Sequence, residues 1–140
     1  MDRTHDDEAM AALLGQPRRI ALIGASPNPE RASHRVMLDL LRRGHDVIPV
    51  NPVADEVAGI PAVPDIAAAA ARWNAPPEIV DVFRAPEYLP PIVDAAIEAG
   101  SAWLWLQLGV VDDASRDRAV AAGLNVVMDR CIKMEAARLT

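Results

Sequence analysis

The sequence predicts an α/β fold, a doubly wound parallel sheet of about five strands with helices on both faces. Short apolar runs alternate with helix-like runs, the strand-like runs are apolar at nearly every position, and the chain has 140 residues. Strands that are apolar throughout are typical of a parallel sheet covered by helices on both faces. A chain of this length is expected to form one domain, residues 1–140, with residues 1–16 as an N-terminal extension that includes a short helix.

The first strand is expected at residues 20–24, followed by a helix over 33–43 that ends at Gly44, a residue type favoured after helices. The other strands are predicted at 47–50, 79–83, 103–106 and 125–128, and the other helices at 6–14, 65–73, 86–99, 113–122 and 130–139. Pro49 weakens the second strand, because proline cannot donate to a ladder. Right-handed crossovers lead us to expect the spatial order 3-2-1-4-5, with a ligand crevice at the carboxyl ends where the order reverses.

Composition excludes several classes of function. The formal net charge of −6, from 14 basic and 20 acidic residues, argues against nucleic acid as a partner. Cys131 is the only cysteine, so no internal disulfide forms, and no His/Cys/carboxylate cluster has the spacing of a metal site. No apolar run approaches the ~20 residues of a membrane span, and the acidic residues 1–8 do not resemble a signal peptide. We therefore expect a cytoplasmic protein without metal.

The most informative segment is the loop that follows the first strand, Gly24 to Ser33, together with the start of the helix behind it. Gly24 permits close approach of the backbone, Ser26 offers a hydroxyl group, and a helix N-terminus follows. Together with positive charge from Arg31 and Arg35, this layout is typical of phosphate binding. The alternative is an ordinary strand–helix turn with arginines facing solvent. The candidate residues of this loop are Gly24, Ala25, Ser26, Asn28, Arg31, Ser33 and Arg35.

Three further loops follow strands, so in a parallel sheet they meet the first loop at one edge. The turn Val50-Asn51-Pro52 offers an apolar surface and an amide suited to adenine or its sugar, although Asn-Pro is also a common turn pair. Phe83-Arg84 could supply an aromatic wall and a phosphate contact, or a buried ring and a solvated cation. Gln107-Leu108-Gly109 could let a chain-like ligand pass close to the backbone at Gly109.

A nicotinamide dinucleotide is disfavoured by the same loops. Its site would show Gly-x-Gly-x-x-Gly after the first strand and an acidic residue closing the second. Gly24 is instead followed by Ala25-Ser26-Pro27, and Asn51-Pro52 stands where the acid belongs. A phosphorylated ribose would be repelled by such an acid, so its absence is compatible with that kind of ligand.

Cys131 lies near the start of the last predicted helix, where a helix N-terminus and the neighbouring Arg130 favour a reactive thiolate. The alternative is a small buried side chain that only fills space. Trp103 and Trp105 point to one face of their strand and are expected in the core or an interface rather than under a ligand.

Taken in order, these loops resemble the small stand-alone CoA-binding proteins, which are similar to the CoA-binding domain of the succinyl-CoA synthetase alpha subunit. The resemblance covers residues 8–138 and rests on five blocks: residues 24–31, 50–52, 81–84, 105–110 and 128–131. It implies a single Rossmann-like fold that binds coenzyme A, with phosphates at the first loop, adenosine between Val50-Asn51-Pro52 and Phe83-Arg84, and pantetheine toward Gln107-Leu108-Gly109. Many relatives carry lysine where this chain has Val53, and the phosphorylated histidine domain of the synthetase is missing.

We therefore expect a protein that binds coenzyme A or an acyl-CoA, without catalysis of its own, and in which Cys131 forms a reversible mixed disulfide with the CoA thiol. One alternative is a subunit or fragment of an acyl-CoA ligase or transferase that acts with a partner. Another is an NAD(P)-binding oxidoreductase domain. A third is a regulatory module that senses CoA and forms a homodimer, through an exposed surface bearing tryptophans.

Overall fold

The computed structural model describes residues 6–140; residues 1–5, which carry His5 and the beginning of the predicted extension, lie outside the described residues. The helices are α1 (Asp7–Leu14), α2 (Ala32–Arg42), α3 (Ile66–Trp73), α4 (Leu89–Ala99), α5 (Asp113–Ala121) and α6 (Ile132–Leu139). The strands are β1 (Arg19–Ile23), β2 (Asp46–Val50), β3 (Glu56–Val57), β4 (Ile60–Pro61), β5 (Ile79–Val82), β6 (Trp103–Leu106) and β7 (Asn125–Val127). Each predicted helix and strand is present, with ends shifted by no more than three residues.

Five strands form one parallel sheet in the order β2-β1-β5-β6-β7, which confirms the predicted Rossmann-like α/β fold. The predicted spatial order 3-2-1-4-5 is wrong, because the third long strand, β5, pairs with β1 and not with β2. The observed order reverses between β1 and β5, so the crevice expected at the carboxyl ends lies between these two strands.

Pro49 explains why β2 is the edge strand. In a parallel strand the N–H and C=O groups of one residue point to the same side, and the carbonyl of Pro49 accepts from the amide of Val63, away from β1. The missing N–H of Pro49 therefore faces the outer edge, where no ladder bond is lost. A short bridge between Val50 and Val63 covers part of that edge.

The sequence-based prediction missed one element between β2 and α3. Residues Glu56–Val57 and Ile60–Pro61 form a two-residue antiparallel ladder, in register at Glu56–Pro61 and Val57–Ile60. Strands of two residues are too short to produce a recognisable alternation of apolar and polar side chains. The predicted helix over 86–99 is a 3-10 turn at Pro86–Tyr88 that continues as α4.

The core lies on both faces of the sheet. On one face α3, α4 and α5 cover inward-facing side chains such as Ala21, Val80 and Leu104. On the other face α1, α2 and α6 cover Leu22, Trp105 and their neighbours. Trp105 is fully buried and Trp103 is partly buried against the same cluster, as expected for core residues.

The N-terminal helix is part of this packing. Its residues Met10, Leu13 and Leu14 are buried against the sheet, and Asp6 caps it by accepting from the amide of Ala9 at 3.1 Å. At the far end of the chain, Arg138 in α6 donates to Asp7 at 2.7 Å. Helices α1 and α6 are thereby joined on one face.

Within residues 6–140, no helix combines the length and apolar character that a membrane crossing requires. The same part of the chain contains no group of three or more His, Cys, Asp or Glu side chains placed to hold a metal ion.

Candidate functional site

Three adjoining cavities run along the carboxyl edge of the sheet, centred on the β1/β5 crevice. Cavity A, of about 500 Å³, lies toward β2 between residues 23–26, 50–53 and 83–84. Cavity B, of about 340 Å³, lies at the start of α2, against Arg31, Ala32 and Ser33. Cavity C, of about 300 Å³, lies toward β6 and ends at Cys131. Phe83 lines all three cavities, which therefore adjoin one another around this side chain; the three cavities together are called the groove.

Gly24 makes the narrow point of this groove possible. Its φ is +82°, in the left-handed region that glycine adopts at little cost. A Cβ atom at this position would lie 2.7 Å from the carbonyl oxygen of Phe83 and 3.1 Å from Cδ of Arg84. The backbones that follow β1 and β5 therefore approach each other too closely for any side chain at position 24.

The first loop is held by its own small polar side chains. The hydroxyl of Ser33 accepts from the amide of Ser26 at 3.1 Å, and the hydroxyl of Ser26 accepts from the amide of Asn28 at 3.1 Å. The side chain of Asn28 accepts from the amide of Glu30 at 3.0 Å. These bonds fix the loop as a turn whose backbone lies along cavity B.

The two arginines of this loop differ in their surroundings. Arg31 is exposed, lines cavity B and precedes α2 as its N-cap residue, with no side-chain cap on that helix within the described residues. The guanidinium group of Arg35 instead donates to the carbonyl oxygen of Glu30, and Arg35 is not among the residues that line cavities A, B or C. The amides of the first turn of a helix lack acceptors within the helix, so Arg31 stands where an anion would be stabilised.

Asn51 fastens the loop after β2 to the loop after β1. Its Nδ2 donates to the carbonyl oxygen of Ala25 at 2.8 Å, and its Oδ1 accepts from the amides of Val53 and Ala54 at 2.8 and 3.0 Å. Both ends of the amide are therefore used within the protein. Asn51 shapes the wall of cavity A, and one N–H of its side-chain amide is left for a ligand.

Phe83 and Arg84 follow β5 directly at the crevice. The guanidinium carbon of Arg84 lies 4.1 Å from the centre of the Tyr88 ring, in a cation–π arrangement. Phe83 is half-buried, and its amide donates to the carbonyl oxygen of Ile23 at 2.8 Å. Arg84 thus brings a positive charge to cavities A and C, on a side chain steadied by Tyr88.

Cavity C is bounded by the loop 107–110 and the segment before α6. Gly109 has φ +83°, and its amide donates to Asp129 at 2.8 Å. Gln107 is buried; its Oε1 accepts from the amide of Ile132 at 3.3 Å, and its Nε2 donates to Oδ1 of Asp81. Cys131 is half-buried at the end of the cavity. The remaining lining is mostly apolar.

Asp81 lies beneath this loop, in the middle of β5, and is fully buried. Burial raises the pKa of its carboxyl group to about 7, because a charged carboxylate is poorly solvated there, and the hydrogen bond from Gln107 opposes the shift only in part. Its second oxygen, Oδ2, has no hydrogen-bond partner among the described residues.

The structure brings together most of the predicted site residues. Lining at least one cavity are Gly24, Ala25, Ser26, Arg31, Ser33, Val50, Asn51, Pro52, Phe83, Arg84, Gln107, Gly109 and Cys131. Asn28 and Arg35 do not line these cavities and act within the loop. The sequence-based candidates did not include Ile23, Ala32, Val36, Val53, Pro64, Ala85, Pro86, Tyr88, Pro91, Ile92 and Val110. The four-residue spacing of Arg84 and Tyr88 is a signal that could have indicated Tyr88.

The chain resembles known proteins in both sequence and structure. A protein-family model described as "CoA binding domain" matches residues 18–137. This chain belongs to the CoA binding domain family. It is 35% identical to the Bacillus subtilis (strain 168) protein YneT over 122 residues, 87% of each chain. It is also similar to a solved Pyrococcus horikoshii OT3 protein, with 36% identity, a TM-score of 0.85 and coverage of 95% of this chain and 91% of the other. A Thermus thermophilus structure matches with 32% identity, a TM-score of 0.84 and coverage of 96% and 98%.

The three cavities differ in their chemistry. Cavity B combines a cation, two serines and a helix N-terminus, which suits phosphate groups. Cavity A is the largest and is bounded by Tyr88, Phe83 and prolines, which suits a flat base. Cavity C is apolar and ends at a thiol, which suits a flexible arm with a sulfur at its end.

Proposed function

We propose that this protein binds coenzyme A, or an acyl-CoA, along the groove formed by cavities A, B and C, and has no catalytic activity of its own. The observation that carries the proposal is that three chemically different cavities meet at Phe83, in a chain of the CoA binding domain family. Each cavity matches one part of a ligand with a base, phosphates and a thiol arm.

In this proposal the phosphates lie in cavity B, held by the backbone of the 24–26 turn, Ser26, Ser33 and Arg31. The adenosine part lies in cavity A between Val50-Asn51-Pro52 and Phe83-Arg84. The pantetheine arm runs through cavity C along Gln107 and Gly109 toward Cys131. Arg31 and Arg84 then offset locally the formal net charge of −6, which by itself opposes a polyanionic ligand.

The absence of catalysis is proposed from the residues that the groove offers. The lining combines backbone groups, hydroxyls, an amide, cations and apolar side chains, and its one ready nucleophile is the thiol of Cys131. These groups bind and orient a ligand. A ligase or transferase subunit would show turnover only once a partner protein is added.

Isothermal titration with coenzyme A, dephospho-CoA and NADP tests the proposal. We expect coenzyme A to bind more tightly than dephospho-CoA, and NADP to bind most weakly because it has no arm to fill cavity C. The absence of any heat of binding at about 1 mM coenzyme A would overturn the proposal. Tighter binding of NADP would favour the oxidoreductase alternative.

Cys131 gives the proposal a covalent extension. The Cys131 thiolate attacks one sulfur of CoA disulfide, a Cys131–S–S–CoA bond forms, and the other CoA leaves as a thiolate, so electrons balance without another oxidant. Mass spectrometry after incubation with CoA disulfide should show one CoA adduct that Cys131→Ala abolishes and a reductant removes. An adduct that persists in Cys131→Ala, or an unmodified wild-type protein, would contradict the extension.

A further inference from the structure

A fully buried acid occupies the middle of the sheet directly behind the ligand groove. Asp81 lies in β5 between Leu22 of β1 and Trp105 of β6, and none of its surface is exposed. Oδ1 accepts from Gln107, whereas Oδ2 has no hydrogen-bond partner among the described residues. A buried carboxyl oxygen without a partner lowers stability, and such groups are found most often where function retains them.

The hydrogen bonds of Gln107 connect this acid to cavity C. Its Nε2 donates to Asp81, its Oε1 accepts from the amide of Ile132 at the start of α6, and Gln107 itself lines the cavity. The carbonyl oxygen of Gln107 accepts from the amide of Val110 at 2.9 Å, which closes the loop. Because the amide of Gln107 has one donor end and one acceptor end, Asp81 determines which way it points.

Asp81 is not compensated by a nearby cation. The elements packed over this face of the sheet, together with the residues after β5 and β7, carry the titratable or charged groups Asp6, Asp7, Glu8, His34, Arg35, Asp39, Arg42, Arg43, Glu56, Arg84, Asp129, Arg130, Cys131, Lys133, Glu135 and Arg138. None of them is a hydrogen-bond partner of Asp81; burial raises the pKa of its carboxyl group, and the hydrogen bond from Gln107 lowers it only in part. The protonation of Asp81 therefore depends chiefly on changes in the surroundings of Gln107.

We propose that Asp81 is a positioning residue for the ligand loop, and that it takes up a proton when coenzyme A fills cavity C. The inference rests on the proposed function. Two effects of the ligand favour proton uptake by Asp81. A ligand lying against Gln107 excludes water from the surroundings of the acid and disfavours its charged form, and a polyanionic ligand repels a carboxylate that no cation screens. Both effects favour the neutral acid in the complex.

Because protonation of Asp81 and ligand binding are coupled, the affinity for coenzyme A depends on pH. If the pKa of Asp81 is about 7 in the free protein and higher in the complex, binding takes up protons between these two values. For each unit by which the complex raises the pKa of Asp81, the affinity at high pH is up to about tenfold lower than at low pH. The affinity therefore falls from pH 6 to pH 8. The phosphate monoester of the ligand also titrates, near pH ~6, so wild type must be compared with a variant that lacks the acid.

The test is isothermal titration of coenzyme A at pH 6, 7 and 8, in buffers of different ionisation enthalpy, for wild type, Asp81→Asn and Asp39→Asn. The dependence of the heat on the buffer counts the protons taken up. Asp39 is the matched control, because it is a buried acid on the same face that is paired with Arg42 and Arg43 and does not line the groove. We expect proton uptake near pH 7 in wild type and Asp39→Asn, and less in Asp81→Asn, with a decline in affinity from pH 6 to pH 8 at least threefold smaller in Asp81→Asn.

A second measurement needs no variant. The carboxyl carbon of Asp81 can be followed by NMR in the wild-type protein as pH is changed, with and without coenzyme A. An upward shift of its pKa on binding supports the inference, and an unchanged or lowered pKa overturns it, as do parallel pH profiles in wild type and Asp81→Asn. If coenzyme A binds to none of the three proteins at any pH, the proposed function itself fails, which is a different result.

Discussion

At Gly24 the backbone combines a left-handed conformation with a close approach to the carbonyl oxygen of Phe83. Gly24→Ala therefore adds two penalties, the strain of a positive φ and a contact of 2.7 Å with backbone. We expect a loss of about 2–3 kcal/mol in the free energy of unfolding, measured by urea denaturation, together with weaker binding of coenzyme A.

Gly44→Ala is the matched control for this change. Gly44 has a similar φ of +93°, but a Cβ at this position would meet nothing within 4 Å, and Gly44 does not line the groove. It should lose about 1 kcal/mol from strain alone and keep the wild-type affinity. Equal losses of stability in the two variants, with affinity unchanged in Gly24→Ala, would contradict the close approach as the reason for glycine.

Asp81 also predicts how stability depends on pH. Its pKa is about 7 in the folded state and near the ordinary value of 3.8 when unfolded, so the folded state holds the proton more tightly. The free energy of unfolding should therefore fall as pH rises from about 4 to 7, by up to ~1.4 kcal/mol per pH unit, and level off above that range. Asp81→Asn lacks this pH dependence. The free energy of unfolding of Asp81→Asn, relative to that of wild type, should therefore increase from pH 4 to pH 7.

The wild-type profile contains an opposite contribution from His45. Burial and the nearby Arg18 and Arg43 lower the pKa of His45, whose Nδ1 accepts from the amide of Arg18 at 3.0 Å. Its contribution is present above pH ~6.5 and is lost as pH falls through its lowered pKa. The comparison with Asp81→Asn at each pH cancels this contribution. A difference in stability that stays constant from pH 4 to pH 8 would show that Asp81 does not titrate as described.

Among the elements, the start of α2 separates two arginines that look equivalent in the sequence. Arg31 lines cavity B, whereas the guanidinium group of Arg35 is used by the carbonyl oxygen of Glu30. A hydrogen bond to a charged group contributes about 1.5–3 kcal/mol, so Arg31→Ala should weaken coenzyme A at least tenfold. Arg35→Ala should weaken it less than threefold, since it changes the loop and not the cavity wall.

Titration calorimetry at two salt concentrations checks this pair of variants. Loss of a phosphate contact at Arg31 should also make the affinity less sensitive to salt, because one ion pair with the ligand is gone. If Arg35→Ala shows the larger loss, the sequence-based view of Arg35 as a direct phosphate contact is the better one, and the loop rearranges on binding.

The elements also show what could be predicted from sequence and what could not. Apolar runs bounded by turn residues predicted every long strand and helix, because burial on both sides of the sheet leaves a strong pattern. The order of the strands depends on pairing between distant segments, which that pattern does not encode. Pro49 carried the missing information, since a proline whose N–H side faces the edge excludes β2 from the middle of the sheet.

The residues of the candidate site were predicted from the sequence about as completely as the fold. Residues that directly follow strands were found, because parallel strands bring their carboxyl ends to one edge. Tyr88 and Ile92 were missed, since they reach cavity A from the start of α4 and not from a strand end. The bonding of Asn51 was also beyond the sequence, because whether an amide faces a ligand or its own backbone depends on the neighbouring loop.

For the whole molecule, the position of the groove follows from the corrected strand order. Because β1 and β5 are neighbours, the loops after them separate toward opposite faces of the sheet and open a crevice between them. In that crevice Gly24 lies against Phe83 and Arg84, and the loops after β2 and β6 flank it on either side. With the order 3-2-1-4-5, β5 would lie beyond β2 and the groove would lack its central wall.

The groove is built from four loops of one sheet. Ligand binding in the groove should therefore stabilise the whole molecule. Saturation with coenzyme A at about 100 times its dissociation constant should add about 2.7 kcal/mol, which raises the midpoint of thermal unfolding by roughly 10 °C. Because α1 and α6 are joined by Arg138 and Asp7, and the two core clusters share the sheet, we expect one cooperative transition with and without ligand.

Differential scanning calorimetry measures both quantities in one experiment, with NADP at equal concentration as the control ligand. NADP offers phosphates and adenosine but nothing to fill cavity C, so its shift should be clearly smaller than that of coenzyme A. Two resolved transitions would contradict the single domain. An equal shift with NADP would show that cavity C adds nothing to binding, and the thiol arm would then lie outside the groove.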